Sequence, residues 1–286
     1  MSIFKLLLAL SVLIFASMGC AGCTHLIYQP SDVMFLQNSD QLNGIREEVS
    51  FNSSDGTKLA GWYFKARKGT HHGAILQFHG NAQNMTSHFA SVFWLIDEGY
   101  DVFTFDYRGY GISEGKPSQE GVNRDAVAAI HYLMQRETPA ARDIVLYGQS
   151  LGGAVLLRAF DDVSPEERAR VKALVVEGTF HNYHEIARNM LSRSWISFVF
   201  QPLAYVLVSN SYGPQDSIAH VAPTPMLVIH GDQDPVIPLS FGKKVFALAK
   251  EPKKFLLIPG GMHIDAMAVN KGQYRAQLLE FLDKPE

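Results

Sequence analysis

Residues 58–66 alternate between two faces, with Leu59, Gly61 and Tyr63 on one and Ala60, Trp62 and Phe64 on the other. That period of two predicts a β-strand. Six short apolar runs follow, at 74–78, 102–105, 144–147, 173–176, 226–229 and 255–258. They are rich in β-branched or aromatic residues and apolar on both faces, as in parallel strands covered by helices. Between them, 85–96, 120–134, 151–160, 241–249 and 266–282 carry apolar residues at three- and four-residue spacing, which predicts helices. The alternation of strand and helix argues an α/β domain with a mostly parallel, doubly wound sheet over residues 45–286.

One segment breaks the rhythm. Residues 181–223 separate two predicted strands and hold Trp195, Ile196, Phe198, Val199, Phe200, Leu203, Tyr205, Val206 and Leu207. This is too long for a bare connection. It is expected to fold as one or two helices over the C-terminal edge of the sheet, where ligands bind in such folds, as a short helical cap on an apolar pocket. A packed pair of surface helices is the plainer alternative.

The chain has 286 residues, 47 % of them hydrophobic and 19 % charged, which excludes a disordered chain. Lys plus Arg is 25 against 28 for Asp plus Glu, so the net charge of −3 gives no support for nucleic-acid binding. The two cysteines, Cys20 and Cys23, both lie near the N-terminus, so the body has neither a disulfide framework nor a thiolate metal site. Residues 1–18 read as a secretory leader, with Lys5 before an apolar run over 6–16 that is short for a membrane span. Residues 1–22 are thus expected to be a signal peptide and 23–44 a tether. Gly19-Cys20 and Gly22-Cys23 are both similar to the end of a bacterial lipoprotein signal, with Cys23 favoured and Cys20 the alternative. Acyl chains there would hold the protein on a membrane surface of the cell envelope; simple secretion is the alternative.

Gly148-Gln149-Ser150-Leu151-Gly152 matches G-x-S-x-G, and so does Gly111-Ile112-Ser113-Glu114-Gly115. A nucleophile elbow needs a buried strand before the serine and a helix after it. Ser150 follows the 144–147 run and precedes a helical pattern, whereas Ser113 is followed by Gly115, Lys116 and Pro117, a loop. Ser150 is therefore the candidate nucleophile. A serine hydroxyl needs an oriented base, with acid and base following in the order Ser, Asp, His. Asp234 and His263 each stand just after a predicted strand, on the same sheet edge as Ser150. The oxyanion formed during attack needs two N–H donors, and the backbone of Leu151 at the helix start supplies one.

These motifs, with His79-Gly80-Asn81-Ala82 and the Asp106-Tyr107-Arg108-Gly109-Tyr110-Gly111 run, resemble the α/β-hydrolase superfamily of serine aminopeptidases, monoacylglycerol lipases and Bem46-like hydrolases over residues 45–283. The Asn81-Ala82 pair and the Asp-Tyr-Arg-Gly-Tyr-Gly run point to the Bem46-like branch. The resemblance implies that the acid is the Asp of G-x-x-D-x-x-V/I-P, here Asp234, with Asp232 a rival and Glu177 a remoter one. It also implies that Asn81 gives the second oxyanion donor. His79 and His230 are expected to make structural hydrogen bonds, and Arg108 to tie its loop to acidic partners. His71 and His72 sit in a polar loop, while His181 and His184 open the insertion within possible reach of substrate.

The dinucleotide and P-loop fingerprints are incomplete, there is no H-E-x-x-H, and His181-x-x-His184 is weak as a metal site; no metal or cofactor is expected. The reading is a serine hydrolase of carboxylic ester or thioester bonds in small or lipid-like acyl substrates. One alternative is a peptidase or amidase, for which Glu185 is the sole carboxylate near the start of the insertion. The other is a non-catalytic lipoprotein binding module.

Overall fold

The computed structural model describes residues 27–35, 42, 44–67, 69, 71–136, 138, 140, 143–193 and 195–285. Cys20, Cys23 and the leader lie outside them. The main sheet has eight strands: β1 (Arg46–Asn52), β2 (Lys58–Phe64), β3 (Gly73–Phe78), β4 (Tyr100–Phe105), β5 (Ile144–Gln149), β6 (Val171–Glu177), β7 (Met226–Gly231) and β8 (Lys253–Ile258). Their spatial order is β1-β2-β4-β3-β5-β6-β7-β8. The first two pairings, β1 with β2 and β2 with β4, are antiparallel, and the rest are parallel.

The apolar runs of the inner strands become strands because both of their faces are covered, whereas edge strand β8 buries only Ile258. Along β5, Ile144 and Leu146 join one core cluster while Val145 and Tyr147 join the other. The first cluster packs the sheet against α1 (Gln119–Met134), α2 (Leu151–Asp161) and, later in the chain, α4 (Leu239–Leu248). The second packs it against the helical turns of 85–98 and, at the C-terminus, α5 (Arg275–Asp283). Every residue of β3, β4, β5 and β7 is buried.

The structure departs from the pattern reading in three places. Strand β1 carries the charged start Arg46-Glu47-Glu48 and turns only Val49 and Phe51 inward, so an edge strand with one half-buried face gave too few apolar positions to register. The expected helix over 85–96 is broken into Met85–His88, Ala90–Phe93 and a 3-10 turn at Trp94–Glu98. The expected helix over 266–282 begins only at Arg275, because Asn270 and Lys271 take left-handed φ of 48° and 60°, which no α-helix continues through.

The segment between β6 and β7 holds α3 (Tyr183–Ser192) followed by short turns at Trp195–Phe198, Gln201–Leu203 and Ala204–Leu207. At α3 the Asn182 side chain accepts from the Glu185 N–H and starts the helix. Upstream of β1, Gln29–Pro30 forms a two-residue parallel ladder with Ala82–Gln83, which lies just after β3. Residues 29–30 are thereby pinned beside the C-terminal edge of the sheet, with Tyr28 fully buried.

Candidate active site

Ser150 sits between β5 and α2 at φ 54°, ψ −120°. A left-handed φ on a side-chain-bearing residue is strained and is held only by an over-determined surround. Here Ser150 N–H donates to the Glu177 carbonyl at 2.9 Å, and Thr179 Oγ1 donates to the Ser150 carbonyl at 2.7 Å. The turn also needs bare backbone nearby. A Cβ on Gly148 would lie 2.6 Å from the Gly153 Cα, and one on Gly152 would lie 2.1 Å from the Phe78 carbonyl oxygen. Serine at a helix N-cap usually spends its hydroxyl on the first turn. Ser150 makes no such bond, and its Oγ lies 2.9 Å from His263 Nε2 instead.

His263, on the loop after β8, faces Asp234 through Nδ1 at 2.7 Å. Asp234 follows β7, and its Oδ1 accepts the backbone N–H groups of Val236 and Ile237 at 2.7 and 2.8 Å, which turns Oδ2 toward the imidazole. Burial alone would raise the Asp234 pKa. The His263 hydrogen bond and charge and the two N–H donors outweigh it, so the carboxyl titrates below its usual range. Asp232 takes another part: its carboxylate accepts the Gly260 N–H at 2.7 Å and shapes the turn after β8.

Glu177 is buried and does not enter the serine–histidine–aspartate chain. Its oxygens accept from Tyr147 Oη, Gln149 Nε2 and the Ala266 N–H at 2.8, 2.8 and 2.9 Å, so it ties the end of β6 to the loop that carries His263. Burial raises its pKa despite those donors.

Leu151 and Asn81 line the same cavity as Ser150. The Asn81 side chain is fixed by the Gln29 N–H at 2.9 Å and by Tyr110 Oη at 3.1 Å, both donating to Oδ1. A Cβ on Gly80 would stand 3.6 Å from the Ser150 Cβ, so this loop is in contact with the serine. His88 was not expected here. It donates from Nε2 to the Ala82 carbonyl at 2.8 Å, and burial, with the charge of His79, pushes its pKa down to about 4. Ile27 and Gln29 also line the cavity. A stretch of seven residues, Ile27 to Val33, offers no periodicity that could have revealed them.

The remaining candidates fall outside this constellation. His79 Nδ1 pairs with the Gly80 carbonyl, and His230 Nε2 with the Ile237 carbonyl. His184 bonds the Val208 carbonyl and His181 faces Glu185, and neither lines the cavity. His71 stands at the opposite side of β4, 3.7 Å from Asp101. Arg108 binds Asp125 and Asp55 at 2.8 Å each, tying its loop to α1 as expected. Ser113 Oγ accepts from the Ala60 N–H and donates to the Asp106 carbonyl. Among the described residues no cluster of His, Cys, Asp and Glu could hold a metal ion.

The cavity above Ser150 has a volume of about 580 Å³ and is walled chiefly by apolar side chains of α3 and of the turns after it, such as Ile186, Leu191 and Leu207. Among the described residues no Asp, Glu, Lys or Arg lines it.

The family described as serine aminopeptidase S33 matches residues 69–217. The protein YfhR of Escherichia coli K12 is 37 % identical over 270 residues, covering 92 % of this chain and 90 % of YfhR. The lysophosphatidylserine lipase ABHD12 of Danio rerio is 32 % identical over 207 residues, covering 68 % of this chain and 52 % of the lipase. Among solved structures, the esterase Pf2001 of Pyrococcus furiosus superposes with a TM-score of 0.72 at 18 % identity, covering 93 % of this chain and 98 % of the esterase. That likeness concerns the fold.

Proposed function

Because the chain belongs to the serine aminopeptidase S33 family of α/β-hydrolases, we propose that it is a serine hydrolase of carboxylic ester or thioester bonds in small or lipid-like acyl substrates. The observation that carries this reading is the hydrogen-bonded chain Ser150–His263–Asp234 opening into an apolar cavity.

His263 Nε2 takes the proton as Ser150 Oγ attacks the acyl carbon, and Asp234 holds the ring in the tautomer that can do so. Negative charge develops on the former carbonyl oxygen. The backbone N–H groups of Leu151 and Asn81 serve it, and the positive end of α2 adds to them. His263 then hands the proton to the departing alcohol or thiol, leaving the acyl group on Ser150. A water deprotonated by His263 attacks that ester, the second tetrahedral intermediate collapses, and Ser150 recovers its proton.

The cavity wall separates this reading from the aminopeptidase one. A free α-amino group needs a carboxylate to hold it, and the described lining offers none, whereas an acyl chain needs the apolar wall that is present. The lipase among the relatives supports a lipid-like acyl group. An N-terminal leader processed at Cys23 or Cys20 would place the enzyme on an envelope membrane.

Fluorophosphonate labelling tests the nucleophile. Wild type and Ser113→Ala are expected to label and Ser150→Ala not to. Labelling that survives in Ser150→Ala overturns the assignment, and an unlabelled wild type brings the binding-module reading forward.

A further inference from the structure

Among the described residues, seven of the twelve exposed large hydrophobic side chains fall within 190–206. Val206 is 79 % exposed, Val199 70 % and Phe198 58 %. A soluble chain rarely leaves so many neighbours uncovered. The ridge is also continuous with the cavity, because Phe200 and Leu203 are exposed and line it at the same time. A ligand leaving the cavity on that side meets the ridge before it meets water.

From these features we infer that the ridge Phe198–Val199–Phe200 with Leu203 and Val206 docks into the surface of a phospholipid bilayer and turns the cavity mouth toward the lipid. A further observation chooses lipid as the occupant. Residues 186–215 contain no carboxylate, while Arg188 and Arg193 stand exposed beside the ridge, a charge balance that suits anionic headgroups. Among the described residues no helix is long and apolar enough to cross a membrane, so the contact is interfacial. It adds a second, orienting contact to any anchor at the N-terminus and is independent of which bond is cleaved.

Amide hydrogen exchange of the full chain, with and without vesicles of phosphatidylcholine and phosphatidylglycerol, tests it. Vesicles are expected to protect amides of 197–207 and to leave Pro165–Arg168 unchanged. The variant Val199→Ser/Val206→Ser alters two side chains outside the cavity lining and should lose that protection. Its turnover of a dissolved short-chain ester should match wild type, while turnover of a long-chain ester embedded in vesicles should fall by about tenfold or more. Vesicle binding that protects only N-terminal peptides overturns the inference. So does protection of 197–207 without vesicles, which assigns the ridge to a second copy if it grows with concentration and to the chain's own leader if it does not. Exchange needs no turnover, so an inactive protein that is protected keeps the contact and loses only the hydrolytic reading.

Discussion

The chain contains the pattern G-x-S-x-G twice, and the two loops teach different things. Both serines are 8 % exposed, so access does not tell them apart. Both loops need a glycine for steric reasons: a Cβ on Gly111 would lie 2.0 Å from Asp106 Oδ2, as close as the one on Gly152 to Phe78. The spacing of glycines thus reports crowded backbone, whatever its purpose. What differs is the use of the hydroxyl. Ser113 Oγ is spent on both sides, on the Ala60 N–H at 2.9 Å and the Asp106 carbonyl at 2.7 Å. Ser150 Oγ is turned away from its own helix by φ 54° and bonds His263. A hydroxyl withheld from structural hydrogen bonds is the mark of chemistry.

The same contrast separates two aspartates two positions apart, and here the largest effect is expected. Asp234→Asn replaces the carboxylate bonded to His263 Nδ1 at 2.7 Å, which under the proposed mechanism fixes the ring's tautomer, so kcat should fall by a factor on the order of 10⁴. Asp232→Asn keeps an oxygen for the Gly260 N–H and should stay within about threefold of wild type. Steady-state hydrolysis of a soluble ester reads both, and equal losses would break the distinction.

Glu177 lies between the two classes: a buried acid bonded like a structural group, at the end of β6 and tied to the loop that carries His263. In Glu177→Gln an amide N–H₂ must face Tyr147, Gln149 or Ala266, all donors at present, which should shift the His263 loop. Misplacement of this kind costs up to about 10²-fold, here in kcat with KM kept. The sign of its pH dependence also follows. The folded pKa is raised above the unfolded one, so the native state holds more protons and the group's linked stability is full below about pH 4.5 and lost as pH rises through the folded pKa. Urea titrations across that range should show this loss in wild type relative to Glu177→Gln. A parallel pH profile for the two would sink the assignment.

Much of this was legible before any coordinates. The central strands announced themselves because both faces are buried, which makes a continuous apolar run. Ser150 was separable from Ser113 because an elbow needs a strand before it and a helix after it. What was hidden came from contacts made across long sequence separations. The Gln29 N–H reaches Asn81 over 52 residues, and the Ala266 N–H reaches Glu177 over 89. Neither leaves a periodicity. Likewise the helix breaks at Phe89 and at Asn270-Lys271, where Asn270 and Lys271 are exposed, fall on stretches whose apolar spacing suits a helix throughout.

The smallest expected effect returns to the two serines and crosses them. Ser113→Ala removes an acceptor from the Ala60 N–H and a donor from the Asp106 carbonyl, in a loop where Ser113 is buried. An unsatisfied buried group costs about 1–3 kcal/mol, so the urea midpoint should drop while kcat stays near wild type. Ser150→Ala removes a hydroxyl that supports no backbone group, at a position where a reactive arrangement is held against strain. Its midpoint should match or exceed that of wild type, because residues placed for chemistry are seldom placed for stability. Each serine would then be indispensable to one property and nearly neutral for the other. A Ser150→Ala variant as destabilised as Ser113→Ala would mean that the elbow hydroxyl also carries structure, and that the two loops differ less than their geometry indicates.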